Sequence, residues 1–216
     1  MATKSNITRR REAAILDSSA EYTAKRQELV RLAANVFRTK GYGSTTLNEV
    51  AKLAGLDRAT VYYYVGSKEE LFREVVQGLL DVNLVEAERL VRDKSILPRE
   101  KLRHLIEILM LSYEENYPYA YVYIQQDMHK VADKSSQWAT SMAKQTHRFE
   151  KAVLTLINEG VQSGDLRADV VPELAANALF GMLNWTHRWH RPGGRHGARQ
   201  IADAFAKVFL NGMARN

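Results

Sequence analysis

The sequence predicts an all-α protein with a small N-terminal unit of three helices and a larger helical domain behind it. Apolar residues recur at helical spacing through most of the 216 residues, and a clear example is the set Leu29, Leu32, Ala33, Val36 and Phe37. Glycine, proline and capping residues mark the ends of these patterns. No segment shows the apolar–polar alternation of a half-buried strand.

Local start and stop signals define the three N-terminal helices. Gly41 suits the end of the first helix, because glycine readily follows a helix C-terminus. Thr46 and Glu49 have the spacing of a capping box at the start of the second helix, and Gly55 breaks it. Asp57 is the expected N-cap of a third, short helix. Two short helices joined by a glycine-containing turn form a helix-turn-helix pattern, with the first helix as their packing partner.

Beyond residue 80 the expected helices are longer. Pro98 and Pro172 each precede or open an apolar helical pattern. Gly164 ends a long amphipathic helix, and the run Arg191-Pro192-Gly193-Gly194 is a hard stop before the last helix. We divide the chain into a basic flexible tail at 1–22, a helix-turn-helix domain at 23–70, and a ligand-binding and dimerisation domain at 71–216.

Charge and composition narrow the class of protein. The formal net charge is +6, and residues 1–72 hold 12 Lys and Arg against 8 Asp and Glu. This basic end fits a polyanionic partner, and the cluster Arg9-Arg10-Arg11 is either a DNA-contacting arm or a solvated tail. The chain has no cysteine and no apolar window near the ~20 residues of a membrane span. Its first residues lack the apolar core of a signal peptide, so we expect no export signal. We expect a cytoplasmic protein that does not contact membranes.

Three successive tyrosines, Tyr62, Tyr63 and Tyr64, lie on the third predicted helix. Side chains that follow one another on a helix point roughly 100° apart, so the three cannot all face one core. At least one tyrosine is therefore available to a partner, while another is expected to be partly buried.

Residues 25–72, which include GYGSTTLNEVAKLAGLDRATVYYYVGSKEELF, resemble the DNA-binding domain of the TetR family of bacterial transcriptional repressors. The rest of the chain resembles the family in architecture alone. The resemblance implies a homodimer that binds double-stranded operator DNA and is released by a small-molecule effector. A recognition helix reads bases with its N-terminal residues and contacts phosphates at its flanks. The expected DNA-binding residues are Thr46, Asn48, Arg58, Ala59, Tyr62, Tyr63, Tyr64 and Lys68.

These residues have different expected tasks. Arg58 has the reach to bind guanine O6 and N7 with two hydrogen bonds, and Asn48 lies where the second helix can also reach a base. Ala59 and Tyr62 match positions of apolar or base contact in the family. The remaining residues match its phosphate contacts: the Tyr63 and Tyr64 hydroxyls, Lys68, and Thr46 at a helix N-terminus.

The resemblance also implies a dimer built from the last two long helices of each subunit, about Pro172–Trp189 and Arg199–Met213. Two-fold half-sites double the contacts that one short recognition helix can make. The expected interface residues are Leu174, Ala178, Gly181, Met182, Phe205 and Phe209.

The segment from Leu183 to Gly194 resembles the Arg-Trp-x-Arg-Pro-Gly-Gly segment of a TetR branch that responds to acyl-coenzyme A thioesters from lipid, steroid or aromatic catabolism. Arginines beside indole rings suit a phosphate and a purine or acyl chain, although both tryptophans also suit a dimer interface. Tyrosines, a glutamine and apolar residues further up the chain suit an elongated apolar pocket. The expected ligand-binding residues are Tyr113, Tyr117, Tyr121, Gln125, Met128, Phe149, Trp185, Arg188, Trp189 and Arg191.

Catalysis and metal binding are not expected. His187, His190 and His196 are close in sequence, but their basic surroundings oppose a cation and carboxylate ligands are scarce. No nucleophile, phosphate loop or cofactor motif accompanies the carboxylates of the chain. The favoured function is a ligand-responsive repressor. The alternatives are a ligand-independent dimeric activator or architectural DNA-binding protein, and an all-α enzyme that carries a DNA-binding domain.

Overall fold

The computed structural model describes residues 19–76, 79–125 and 137–213, and within these ranges every regular element is helical. A short 3₁₀ helix, Thr186–Arg188, follows the ninth helix. The α-helices are α1 (Ala20–Lys40), α2 (Leu47–Leu53), α3 (Arg58–Tyr64), α4 (Lys68–Val76), α5 (Leu79–Arg92), α6 (Pro98–Glu115), α7 (Tyr119–Gln125), α8 (Gln137–Gln162), α9 (Pro172–Trp185) and α10 (Ala198–Met213).

The N-terminal helices close around a core of their own. Leu29 and Phe37 of α1, Val50 of α2 and Val61 of α3 are fully buried together. Helix α4 completes this core, because its fully buried Phe72 and neighbouring apolar residues pack against α1. Residues 20–22, which the sequence analysis places in the tail, form the first turn of α1, and Ser19 caps that turn by accepting a hydrogen bond from the Tyr22 N–H.

The C-terminal domain is arranged around α6, which packs against α5, α8, α9 and α10. Its core includes fully buried Leu102 and Ile106 of α6, Leu156 of α8, Leu179 of α9 and Leu210 of α10. These residues follow the helical period, so each helix buries one apolar stripe. None of the described helices has the length and apolarity needed to cross a membrane.

Helix α7 lies where the two cores meet. It packs against α1 and α4 on one side, and against α6 and the 3₁₀ helix on the other. Its neighbouring residues Tyr121 and Val122 are both fully buried, with Tyr121 in the C-terminal core and Val122 in the N-terminal core. The two domains are therefore joined by packing as well as by the chain itself.

Candidate nucleic-acid interface

The N-terminus of α2 carries a complete capping box. The Thr46 hydroxyl accepts a hydrogen bond from the Glu49 N–H at 3.3 Å, and Glu49 Oε2 accepts one from the Thr46 N–H at 2.8 Å. Lys40 Nζ lies 2.5 Å from the other oxygen of Glu49. Hydrogen bonds from Lys40 and Thr46 lower the pKa of Glu49 to about 2. The carboxylate is thus held ionised at the helix N-terminus, with Thr46 and Asn48 exposed beside it.

Asp57 caps α3 in the same local manner. Its two carboxylate oxygens accept hydrogen bonds from the Thr60 N–H at 2.9 Å and the Thr60 hydroxyl at 2.8 Å. These bonds lower the pKa of Asp57. Because the cap fixes the first turn of the helix, it sets the direction of the exposed residues Arg58 and Ala59.

Arg58 and Tyr62 form a pair on the outer face of α3. The Arg58 guanidinium lies over the Tyr62 ring, 5.4 Å from the ring centroid. Arg58 is exposed and Tyr62 half-buried, and Ala59 is exposed beside them. A planar cation supported by an aromatic ring is well suited to hydrogen bonding at a guanine edge.

The C-terminal end of α3 is held by α1. The Tyr22 hydroxyl donates to the carbonyl oxygens of Tyr63 and Tyr64 at 3.4 Å each, and Arg26 Nε donates to the Tyr64 carbonyl at 3.2 Å. The Tyr63 ring packs edge-on against Tyr22, with 5.5 Å between centroids. Tyr63 and Tyr64 are half-buried as a result. Arg26 also pairs with carboxylates of α4, at Glu70 and Glu74.

Lys68 anchors the loop that precedes α2. Its ammonium donates to the carbonyl oxygens of Tyr42 and Thr45, both at 2.9 Å, and to that of Gly43 at 3.4 Å. The same ammonium lies 4.3 Å from the centroid of the Tyr42 ring. Partial burial lowers the pKa of Lys68. All three N–H bonds of the ammonium are directed at the loop, which ends at the exposed residue Thr46.

We expect Lys68→Met to weaken binding to every DNA sequence by roughly tenfold, because it removes charge-assisted hydrogen bonds that hold the loop. The slope of log affinity against log salt should stay unchanged, since the ammonium serves protein carbonyls. Lys52→Met, on the exposed part of α2, is the matched control. A slope reduced by about one unit in Lys68→Met would instead indicate a direct phosphate contact.

The residues expected to line an effector pocket differ in how deeply they are buried. Tyr113 and Tyr121 are buried, and their hydroxyls lie 2.8 Å from Asn184 Oδ1 and 2.7 Å from His190 Nδ1. Burial raises the pKa of both tyrosines and lowers that of His190. The other expected residues comprise half-buried Tyr117 and Phe149, exposed Gln125, and Met128, which lies outside the described residues together with Arg9, Arg10 and Arg11.

The Leu183–Gly194 segment places its indoles at the surface. Trp185 is 57% exposed and Trp189 47% exposed, and the Arg188 guanidinium lies 4.7 Å from the Trp185 ring centroid. Arg191 Nη1 donates to the carbonyl oxygens of His187 and His190, at 3.2 and 2.6 Å. Arg191 therefore stabilises the end of the 3₁₀ helix, whereas Arg188 is exposed beside an open aromatic face.

An apolar face on α9 and α10 is open to solvent. Leu174 is 63% exposed, Ala178 and Gly181 are exposed, and Met182 and Phe205 are half-buried. A Cβ built on Gly181 would meet no atom within 4 Å.

Phe209 was expected on this face but is only 5% exposed and packs within its own chain. The exposed neighbour is Val208, at 65%, which the sequence analysis did not include. Both residues fit an apolar helical pattern, so sequence spacing alone did not distinguish the inner from the outer side of α10.

Tyr22 and Arg26 were also missed. Their contacts with α3 join residues 38 to 42 positions apart in sequence, so no local motif indicates them. The only sequence signal is an aromatic and a basic residue in the first two turns of α1.

Two family models match the chain. One is described as "Bacterial regulatory proteins, tetR family" and matches residues 29–75, which include every expected DNA-binding residue. The other is described as "Tetracyclin repressor-like, C-terminal domain" and matches residues 95–213, more than half of the chain.

Individual proteins agree with these matches. The chain is 28% identical over 199 residues to the HTH-type transcriptional repressor KstR2 of Mycobacterium tuberculosis, covering 91% of this chain and 96% of that one. The solved structure of that organism's ketosteroid transcriptional regulator KstR2 is 26% identical, with a TM-score of 0.77 over 88% of this chain and 95% of that one. AibR, solved with isovaleryl coenzyme A and operator DNA, shares the fold at 22% identity, with a TM-score of 0.66 over 85% of this chain and 97% of that one.

Proposed function

The chain belongs to the TetR family of bacterial regulatory proteins, and we propose that it is a dimeric repressor released from its operator by a coenzyme A thioester. It is a DNA-binding transcriptional regulator and not an enzyme. The proposal concerns the operator contacts, the dimer interface and the effector.

We infer the operator contacts from one observation, the capped N-termini of α2 and α3. The caps at Thr46 and Asp57 leave Asn48, Arg58 and Ala59 exposed at the first turns. Helix α3 enters the major groove with Arg58 at a base edge, and Tyr62 contacts bases beside it. Tyr63 and Tyr64, held against Tyr22, approach the phosphate backbone with their hydroxyls.

We expect Arg58→Ala to reduce discrimination at one base pair of the operator by about 5- to 150-fold, because a bidentate contact to guanine is worth roughly 1–3 kcal/mol. Competition binding against operators substituted at each position would locate that base pair. Lys52→Ala, an exposed cation on α2, is the control and should leave base preference intact. Full operator selectivity in Arg58→Ala would exclude the base-reading role.

The charge of the C-terminal segment supports a polyanionic effector. Residues 174–202 contain four arginines and no aspartate or glutamate. The open aromatic face of Trp185 and Trp189, with Arg188 beside it, suits an adenine ring and a phosphate. Similarity to the ketosteroid transcriptional regulator KstR2 is our reason for proposing a ring-bearing acyl group. AibR, which was solved with isovaleryl coenzyme A and operator DNA, has the same fold.

Release depends on the thioester stabilising a subunit arrangement that no longer matches the operator. A ligand shifts an equilibrium only by its difference in affinity for the two arrangements. Arg188 and Trp185 are our candidates to provide that difference, because Trp185 ends α9 and Arg188 lies in the 3₁₀ helix that follows it, close to the open face of α9 and α10.

The test is binding of the purified protein to DNA from upstream of its own gene, titrated with free coenzyme A, short acyl thioesters and ring-bearing acyl thioesters. We expect a ring-bearing thioester to release the DNA and free coenzyme A to leave it bound. Arg188→Ala should require roughly tenfold more thioester while keeping its operator affinity. Arg92→Ala, an exposed arginine on α5, is the control. Specific binding that no thioester changes would favour the ligand-independent alternative.

A further inference from the structure

Helix α7 connects two parts of the molecule that the proposed function requires to move together. Val122 is fully buried in the core shared by α1, α2, α3 and α4. Tyr121, its neighbour in sequence, faces the C-terminal core and the segment that follows α9. Adjacent residues on one short helix thus join the DNA-binding unit to the dimerisation domain.

The link at Tyr121 is a buried polar cluster, in which its hydroxyl contacts His190 and also the side chain of Thr186. The Tyr121 hydroxyl and His190 Nδ1 are 2.7 Å apart, Tyr121 is fully buried and His190 is 2% exposed. Tyr113 and Tyr117 pack edge-on against the Tyr121 ring, with centroids 6.1 and 5.7 Å away. The ring therefore has little freedom to shift without moving α7.

His190 is fixed by its own backbone. Its N–H donates to the Thr186 carbonyl at 2.8 Å, and its carbonyl accepts from Arg191 Nη1 at 2.6 Å. A displacement of the residues between Thr186 and Arg191 is consequently transmitted to the Tyr121 hydroxyl.

On the other side, α7 is attached to α1 at two places. Val122 packs in the N-terminal core, and the Arg38 guanidinium, near the end of α1, lies 5.6 Å from the centroid of the Tyr117 ring, just before α7. The orientation of the DNA-binding unit on the dimer scaffold therefore depends on where α7 is held.

We infer that Tyr121 is a positioning residue for operator recognition, which fixes the spacing between the two recognition helices of the dimer through its contact with His190. This inference rests on the proposed dimeric repressor, because half-site spacing has meaning only for two linked recognition helices. Successive major grooves on one face of DNA are about 34–36 Å apart. A DNA-binding unit that is free to pivot tolerates other spacings, whereas a fixed one does not.

The experiment measures affinity for the operator and for versions with one base pair inserted or removed between the half-sites. The ratio of these affinities is the spacing preference. Tyr121→Phe removes only the hydroxyl, and we expect it to lower the spacing preference roughly three- to tenfold. His190→Ala should lower the preference in the same direction, and the double variant should add nothing to the loss in Tyr121→Phe, which already lacks the hydroxyl.

Two further variants separate positioning from general damage. Tyr123→Phe is the matched control, because this residue of α7 has a similar hydroxyl contact, 2.7 Å from Thr146 Oγ1 of α8, and should keep the spacing preference. His190→Asn keeps a polar atom near the position of Nδ1 and should restore much of what His190→Ala loses. Should Tyr121→Phe fail to fold, the comparison of His190→Asn with His190→Ala decides the question.

The possible outcomes are distinct. If Tyr121→Phe and His190→Ala both keep the wild-type spacing preference, the inference is overturned. The proposal of a dimeric repressor is not affected by that result. An equal loss in Tyr123→Phe also overturns it, because packing of α7 in general would then set the spacing. Absence of any spacing preference in the wild-type protein contradicts the proposed dimeric repressor itself, and the inference fails with it.

Discussion

Leu174→Glu is expected to convert the protein to monomers and to weaken operator binding by roughly three orders of magnitude or more. Leu174 is 63% exposed on the apolar face formed by α9 and α10. A carboxylate at its position would have to be buried without a partner in a dimer, which is strongly unfavourable. A monomer contacts only one half-site and loses the contacts to the other. Because specific binding typically exceeds non-specific binding by 10³- to 10⁷-fold, this loss removes a large part of the operator affinity.

Analytical ultracentrifugation together with DNA binding measures both effects. Val82→Glu is the matched control, because Val82 is 62% exposed on α5, outside the α9–α10 face, and this change should alter neither mass nor affinity. A Leu174→Glu protein that remains dimeric at micromolar concentration would exclude this face as the interface.

Phe72→Ala is expected to destabilise the DNA-binding unit by about 3–5 kcal/mol, the usual cost of deleting a buried phenyl ring. Phe72 is fully buried among other aromatic rings, and its ring centroid lies 5.8 Å from that of Phe37, 4.8 Å from Tyr42 and 6.1 Å from Trp138. The variant loses contacts to α1, to the loop before α2 and to α8 together. The thermal midpoint should fall by roughly 6–20 °C for a chain of this size.

The dimer should survive this change, because α9 and α10 belong to the other core. Differential scanning calorimetry and sedimentation would test the two expectations separately. Phe205→Ala, at a half-buried ring of α10, is the comparison and should affect association more than the stability of the DNA-binding unit. Unaltered DNA binding in Phe72→Ala would contradict the assignment of α4 to that unit.

Helix type and helix ends were predictable where the determining residues are neighbours. The caps of α2 and α3 depend on pairs three residues apart, Thr46 with Glu49 and Asp57 with Thr60, and such pairs are visible in the sequence. The apolar period likewise predicted the all-α fold, and the TetR resemblance is confirmed by both family models.

The contacts that position the interface were not predictable, because they join distant parts of the chain. Lys68 lies 23 to 26 residues from the carbonyls that it binds, and Tyr121 lies 69 residues from His190. A lysine next to a recognition helix suggests a phosphate contact, and only the fold directs its ammonium to a loop. Tyr121 was expected to line a pocket, which stays a prediction, and no local motif indicated the contact of its hydroxyl with His190.

The distribution of tryptophan makes the protein its own fluorescent reporter. The chain has three tryptophans: Trp138 packs against the core of the DNA-binding unit, while Trp185 and Trp189 are open to solvent. Indole emission shifts to shorter wavelength when water is excluded, so the two exposed residues respond to a covering subunit or ligand. A Trp138→Phe protein reports on that surface alone, and a variant with both outer indoles replaced by phenylalanine reports on the DNA-binding unit without any added label.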